Sequence, residues 1–173
     1  PNSGKWYVTQ VQGSILALGS NWGFPGCTPT AGVGEGGAGM PVFHAASGNW
    51  YVRSLAGEII ANGVNWGYPG CVPVMEDYNG GGTDDAAVYD VNSGNWYIKT
   101  LDNVTLVSGT NWGYPGCVPV AGDYNGDGDA DMAVYDTNSG NWFIRTQRGG
   151  ILAFARNWGF AGCTPVPGDY DGD

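Results

Sequence analysis

The sequence predicts an all-β fold, and three observations carry that prediction. Trp6, Trp50, Trp96 and Trp142 each open a Trp-(Tyr/Phe)-(Val/Ile) triplet at spacings of 44, 46 and 46 residues, and Trp22, Trp66, Trp112 and Trp158 repeat those spacings inside Asn-Trp-Gly. A fixed period in this range marks a solenoid, propeller or array whose units bury their apolar faces against one another. Glycine is abundant, at 32 of 173 residues, and charged residues make up only 13%, which favours short strands joined by tight turns. No helical 3.6-residue periodicity of useful length occurs, so helical solenoids are excluded.

The best-formed unit runs from Cys117 to about Gly162. Val118 to Tyr124 reads as a first strand, Asn125 to Asp131 as a Gly/Asp loop, and Met132 to Asp136 as a second strand. Asn138-Ser139-Gly140-Asn141 makes a turn before a third strand, Trp142 to Thr146. After the turn Gln147 to Gly150, a fourth strand from Ile151 to Arg156 leads into Asn157-Trp158-Gly159. Four short strands fill the period, which is the make-up of one propeller blade. The expected architecture is therefore a β-propeller of four-stranded blades of about 46 residues, in about four repeats with an incomplete terminal blade. The units are 1–26 (partial), 27–70, 71–116, 117–162 and 163–173 (partial), in a single repeat domain. Joining the ends would give a fourth blade without its second strand, so a longer array or assembly with other copies is an equal expectation.

Composition narrows the function classes. The net charge is −10, but ten of the sixteen acids (Asp77, Asp84, Asp85, Asp123, Asp127, Asp129, Asp131, Asp169, Asp171, Asp173) fall at one phase of the repeat, which suggests a cation. Six scattered Lys and Arg make no basic patch, so nucleic-acid binding is not expected. No apolar run approaches 18 residues and no signal-peptide pattern stands at Pro1, as in a mature secreted segment.

Asp123-Tyr-Asn125-Gly-Asp127-Gly128-Asp129-Ala-Asp131 places oxygen donors at positions 1, 3, 5 and 9, with Gly at 6 and a main-chain carbonyl at 7. This spacing wraps hard donors around one Ca²⁺, and the absence of Glu at position 12 fits a loop between strands better than an EF-hand. Asp77, Asn79, Thr83 and Asp85 form an eroded version with weaker binding expected, and Asp169, Asp171 and Asp173 a partial one. The loop from Ala31 to Met40 holds only Glu35 and is expected to bind no calcium. Asp/Gly loops are also ordinary turn chemistry, and a bound metal would be structural.

The stretch from Pro119 to Ile144, PVAGDYNGDGDADMAVYDTNSGNWFI, resembles the FG-GAP/VCBS-type repeats of secreted bacterial proteins, related in fold to the integrin α-subunit propeller. The resemblance covers nearly the whole chain. It implies a propeller, calcium at Asp123, Asn125, Asp127 and Asp131, a secreted or cell-surface setting, and adhesion or glycan recognition. The eroded first loop, the non-integral repeat count and the cysteines depart from it.

Cys27, Cys71, Cys117 and Cys163 share one phase; they are either small buried residues beneath a Trp or candidates for disulfides between repeats or chains. The Trp of the Trp-(Tyr/Phe)-(Val/Ile) strands is expected in the core. Asn21-Trp22, Asn65-Trp66, Asn111-Trp112 and Asn157-Trp158 either lock the adjacent turn or offer an indole and an amide to a sugar. His44, the single histidine, stands where later repeats carry Asp90 and Asp136 and reads as a drifted surface residue. With no nucleophile-base pair, no catalysis is expected. Asn103-Val104-Thr105 matches a glycosylation acceptor. The expectation is an extracellular, non-catalytic, calcium-binding propeller that recognises a glycan or surface ligand; the alternative is a structural repeat protein that self-associates through its incomplete blade into an oligomer or fibre.

Overall fold

Trp50 and Trp96 are fully buried, each at the third strand of a four-stranded antiparallel sheet. The computed structural model describes residues 4–9, 15–30 and 39–168. Among these, every element is a strand, and no helix is long and apolar enough to cross a membrane. The first sheet pairs β1 (Lys5–Thr9) with β2 (Ile15–Asn21). The second runs β3 (Cys27–Pro29), β4 (Gly39–His44), β5 (Asn49–Ser54) and β6 (Ile59–Asn65). The third runs β7 (Cys71–Pro73), β8 (Ala86–Asp90), β9 (Asn95–Lys99) and β10 (Thr105–Asn111). The fourth runs β11 (Cys117–Pro119), β12 (Met132–Asp136), β13 (Asn141–Arg145) and β14 (Ile151–Asn157). Each complete sheet is a simple meander in sequence order, as short loops between antiparallel strands require.

The expected strand pattern holds with one shortening. The first strand of the fourth sheet ends at Pro119 instead of reaching Tyr124. Val120 N–H still bonds the Ala133 carbonyl at 2.9 Å, but Tyr124 N–H is taken by the Asp131 carboxylate at 3.0 Å, which pulls the chain into the acidic loop. A single bridge, Gly122 to Asp131, closes the base of that loop.

The core lies between sheets. Phe43, Trp50 and Val52 of the second sheet pack with Cys71, Met75, Ala86 and Val88 of the third. Tyr89, Trp96 and Ile98 of the third sheet pack in the same way with Cys117, Met132 and Val134 of the fourth. β8 and β12, buried on both faces, read as continuous apolar runs, whereas β5 and β9 alternate. The fourth sheet has no later sheet on it among the described residues, and its third strand is only half-buried throughout.

The inner ends converge. Thr28 and Pro29 of β3, Val72 and Pro73 of β7, Pro119 of β11, and Pro167 border one cavity of about 380 Å³. Four successive repeats thus present their first segments to a common space.

Candidate functional site

The two described acidic loops share a scaffold built on their first aspartate. In the third repeat, Asp123 Oδ1 accepts main-chain N–H bonds from Asn125 (3.2 Å), Gly126 (2.8 Å) and Asp127 (3.3 Å), and Oδ2 accepts one from Gly128 (2.8 Å). Burial raises its pKa, but the four N–H donors outweigh this and hold it below the usual carboxylate range. Asp77 is wrapped alike by Asn79 (3.2 Å), Gly81 (3.1 Å) and Gly82 (2.6 Å). At the far end of each loop, Asp131 and Asp85 are 1% and 2% exposed. Burial pushes each up to about 6, with Asp127, Asp123 and Asp129 adding to the effect on Asp131, and Asp77 and Asp84 to that on Asp85.

Mutually repelling, desolvated carboxylates with hard oxygen donors between them suit a divalent cation. Asp123, Asn125, Asp127 and Asp131 stand in one loop, and Asn79 Nδ2 donates to Asp85 Oδ2 at 2.8 Å, which joins positions 3 and 9 of the Asp77 loop. The Asp129 side chain turns away to Arg148 Nη2 at 3.1 Å, leaving its main chain to the loop. Thr83 is exposed. Among the described residues no three carboxylate, imidazole or thiol groups converge as a finished ligand set. Asp169, Asp171, Asp173 and the segment around Glu35 lie outside the described residues. The loops touch each other: Ala130 N–H donates to the Asp77 carbonyl at 2.7 Å.

The Asn-Trp-Gly segments are integral to their own sheets. Asn65, Asn111 and Asn157 each donate from Nδ2 to a turn carbonyl, that of Ser47 (2.8 Å), Ser93 (2.8 Å) and Ser139 (2.9 Å). The same nitrogens reach the Oδ1 of Asn49, Asn95 and Asn141. The main-chain carbonyls of Trp22, Trp66, Trp112 and Trp158 accept the indole N–H of Trp6, Trp50, Trp96 and Trp142 at 2.8–3.1 Å, so one Trp set holds the other.

The faces of three of these indoles are covered by a cation from the next sheet. Arg53 lies 5.6 Å from the ring centre of Trp22, Lys99 4.5 Å from Trp66, and Arg145 5.4 Å from Trp112. Each contact is of order 0.5–2 kcal/mol. Trp158 differs, at 82% exposed, and Phe154 of the same repeat packs back on Trp112 and Phe143, with ring centres 6.2 and 5.3 Å away. Sequence reasoning treated the basic residues as scattered, yet half of the six stand three residues after Trp50, Trp96 and Trp142. That shared phase was the available signal.

A second missed element is the link between repeats at the strand ends. Tyr68 Oη donates to Asp90 Oδ2 and Tyr114 Oη to Asp136 Oδ2, both at 2.9 Å. Hydrogen bonds from Ser93 and Ser139 are the largest cause of the lowered pKa of Asp90 and Asp136. In the preceding repeat the pair is replaced as a unit: Phe24 packs on His44 with ring centres 5.0 Å apart. His44 is therefore half-buried and bonded through Nδ1 to Ser47 Oγ at 2.8 Å, not a plain surface residue. A carboxylate with a depressed folded pKa stabilises above its unfolded value and loses that contribution as pH falls through the folded one. Asp90→Asn with Asp136→Asn should therefore cost about 1–2 kcal/mol per site at pH 7. Urea midpoints of parent and variant should draw together below about pH 4.

All four cysteines are free thiols. Cys71 and Cys117 are buried in the clusters that contain Trp50 and Trp96, and burial raises both pKa values, which suits packing better than reactivity. Asn103 adopts a left-handed φ of 81° in its turn, and its Oδ1 accepts from Lys99 Nζ at 2.6 Å.

Comparison with protein-family models, curated proteins and solved structures found no match. The functional reading rests on the geometry of the repeats themselves.

Proposed function

We propose that this chain is a non-catalytic, calcium-stabilised β-propeller module of an extracellular or cell-surface protein that engages a glycan or surface ligand. The observation that carries the reading is the convergence of β3, β7, β11 and Pro167 on one cavity, the arrangement expected when meander sheets stand radially around an axis. The acidic loops support the calcium part: each follows the first strand of its sheet and concentrates carboxylates that destabilise one another unless a cation or proton intervenes. Three covered indoles argue for a structural role at Trp22, Trp66 and Trp112, leaving Trp158 as the ring best disposed to stack on a sugar.

Calcium at a hundredfold excess over its Kd should stabilise the chain by about 2.7 kcal/mol, a rise in Tm of about 5–11 °C. The shift should vanish in the Asp123→Ala, Asp127→Ala double variant. An unchanged Tm on adding calcium to metal-stripped protein would remove the metal assignment. For ligand recognition, a glycan array probed with calcium present should show binding that Trp158→Ala abolishes; a blank array counts against it.

One observation favours a second reading, assembly. Trp158, Phe160 and Val166 are 82%, 72% and 69% exposed within nine residues of sequence, and exposed apolar surface, where contiguous, marks interaction sites. Native mass measured with and without reductant decides: a stable monomer in both conditions overturns assembly.

A further inference from the structure

We propose that the cavity where the inner ends of the sheets converge binds a small alkylammonium ion, the Glu76 carboxylate holding the cationic head and the Pro, Val and Met side chains around it the hydrocarbon tail. Glu76 is the one charged residue bordering this space of about 380 Å³, a volume in the range of small-molecule sites. The wall around it comes from two complete repeats. Val72, Val74 and Met75 belong to the repeat of the third sheet, and Pro119, Val120 and Ala121 to that of the fourth.

The fold itself does not call for a carboxylate at this position. The bridges Glu76 to Asp85 and Gly122 to Asp131 are equivalent, and Gly32 and Gly168 stand at the same phase of the sequence. Entry into the loop therefore needs no side chain here. A carboxylate that leaves water without a partner costs free energy, and Glu76 is half-buried. Its main-chain carbonyl accepts from Asp85 N–H at 2.7 Å, but among the described residues no cation or hydrogen-bond donor meets its side chain. Asp84, which takes the place of Ala130 in the next repeat, adds repulsion. Burial and that repulsion push the Glu76 carboxyl up to about 8. A charge that destabilises its own fold and borders a cavity points to a ligand.

The lining selects the class of ligand. Negative charge excludes an anion. Ca²⁺ takes about six to eight oxygen ligands, whereas no three ligating groups converge among the described residues. A primary ammonium needs one carboxylate for a charge-assisted hydrogen bond and apolar surface along its methylenes, and the cavity offers both. The inference is independent of the calcium and glycan readings.

The test is calorimetric titration of the full chain with ethyl-, propyl- and butylammonium chloride, in EDTA and in calcium. A pH of about 8.5 leaves the Glu76 carboxyl mostly ionised while a primary amine, like that of lysine, keeps its proton. One-to-one saturable binding is expected in both media, about fourfold tighter for each added methylene. Glu76→Gln should weaken it about tenfold or more. Glu76→Gly, which installs the residue of the other repeats, should do the same with an unchanged circular dichroism spectrum. No saturation at about 100 mM butylammonium, equal affinity in both Glu76 variants, no gain with chain length, or equal binding of neutral butanol overturns the proposal. Displacement of butylammonium by calcium, one for one, would assign Glu76 to the cation of the neighbouring loop and overturns it as well.

Discussion

Trp96→Ala should lower the stability of the chain by about 4–6 kcal/mol, a large share of the roughly 5–15 kcal/mol by which domains are folded. The side chain is completely buried and joins the core shared by the third and fourth sheets, against Cys117, Met132 and Val134. Truncating a buried Trp costs about 3–5 kcal/mol through lost burial and the cavity left behind. The indole N–H also satisfies the Trp112 carbonyl at 2.9 Å, and its loss strands that acceptor for about another 1 kcal/mol. Trp158→Ala is the contrasting control: a side chain 82% exposed should cost under about 1 kcal/mol. Urea unfolding of the two variants measures the difference, and equal midpoints would refute the division of the Trp residues into core and edge.

The second large effect is expected at Gly94, where Ala should destabilise by about 3 kcal/mol or more. Gly94 sits at a left-handed φ of 74° in the turn between β8 and β9, and an L-residue there costs about 1–2 kcal/mol. A Cβ would also penetrate the carbonyl of Gly113, in the Asn-Trp-Gly segment that crosses this turn. Relief requires the crossing to open, which breaks the Trp112 N–H bond to the Gly94 carbonyl at 2.9 Å. The same clash is built into Gly48 against Gly67 and Gly140 against Gly159. Gly82→Ala separates the two causes: φ is +76° with no neighbour within 4 Å, so it should carry the conformational cost alone, about 1–2 kcal/mol. Thermal melts in EDTA give the comparison, and a Gly94→Ala cost no larger than that of Gly82→Ala would mean the crossing yields.

The sheets were legible because their determinants are local. Alternation in Trp96-Tyr97-Ile98, the continuous apolar run of β8, and the Asn92-Ser93-Gly94 turn are properties of neighbouring residues, and the strands follow them. The acidic loop was legible for the same reason: spacing within nine residues places Asp123 and Asp131 at its two ends, where Asp131 closes back on Tyr124 N–H. The end of β11 was misjudged because that closure competes with the ladder, and nothing in Val118 to Tyr124 alone reveals the competition. The Arg53, Lys99 and Arg145 contacts and the Tyr68–Asp90 and Tyr114–Asp136 bonds each join different sheets, at separations a strand pattern does not encode.

What the sequence by itself determined is the period, the strands and the acidic loops, since turn chemistry and side-chain alternation act over a few residues. The roles of the four Trp in the Asn-Trp-Gly segments were decided only by the tertiary structure, as was the difference between the fully buried Trp50 and Trp96 and the half-buried Trp6 and Trp142. Whether an indole is core, is capped by a cation or is bare depends on which sheet lies next to it, and that placement arises from packing between repeats. Trp112 and Trp158 sit in the same Asn-Trp-Gly motif, yet one is covered by Arg145 and the other faces solvent, because among the described residues only the first has a following sheet laid on it.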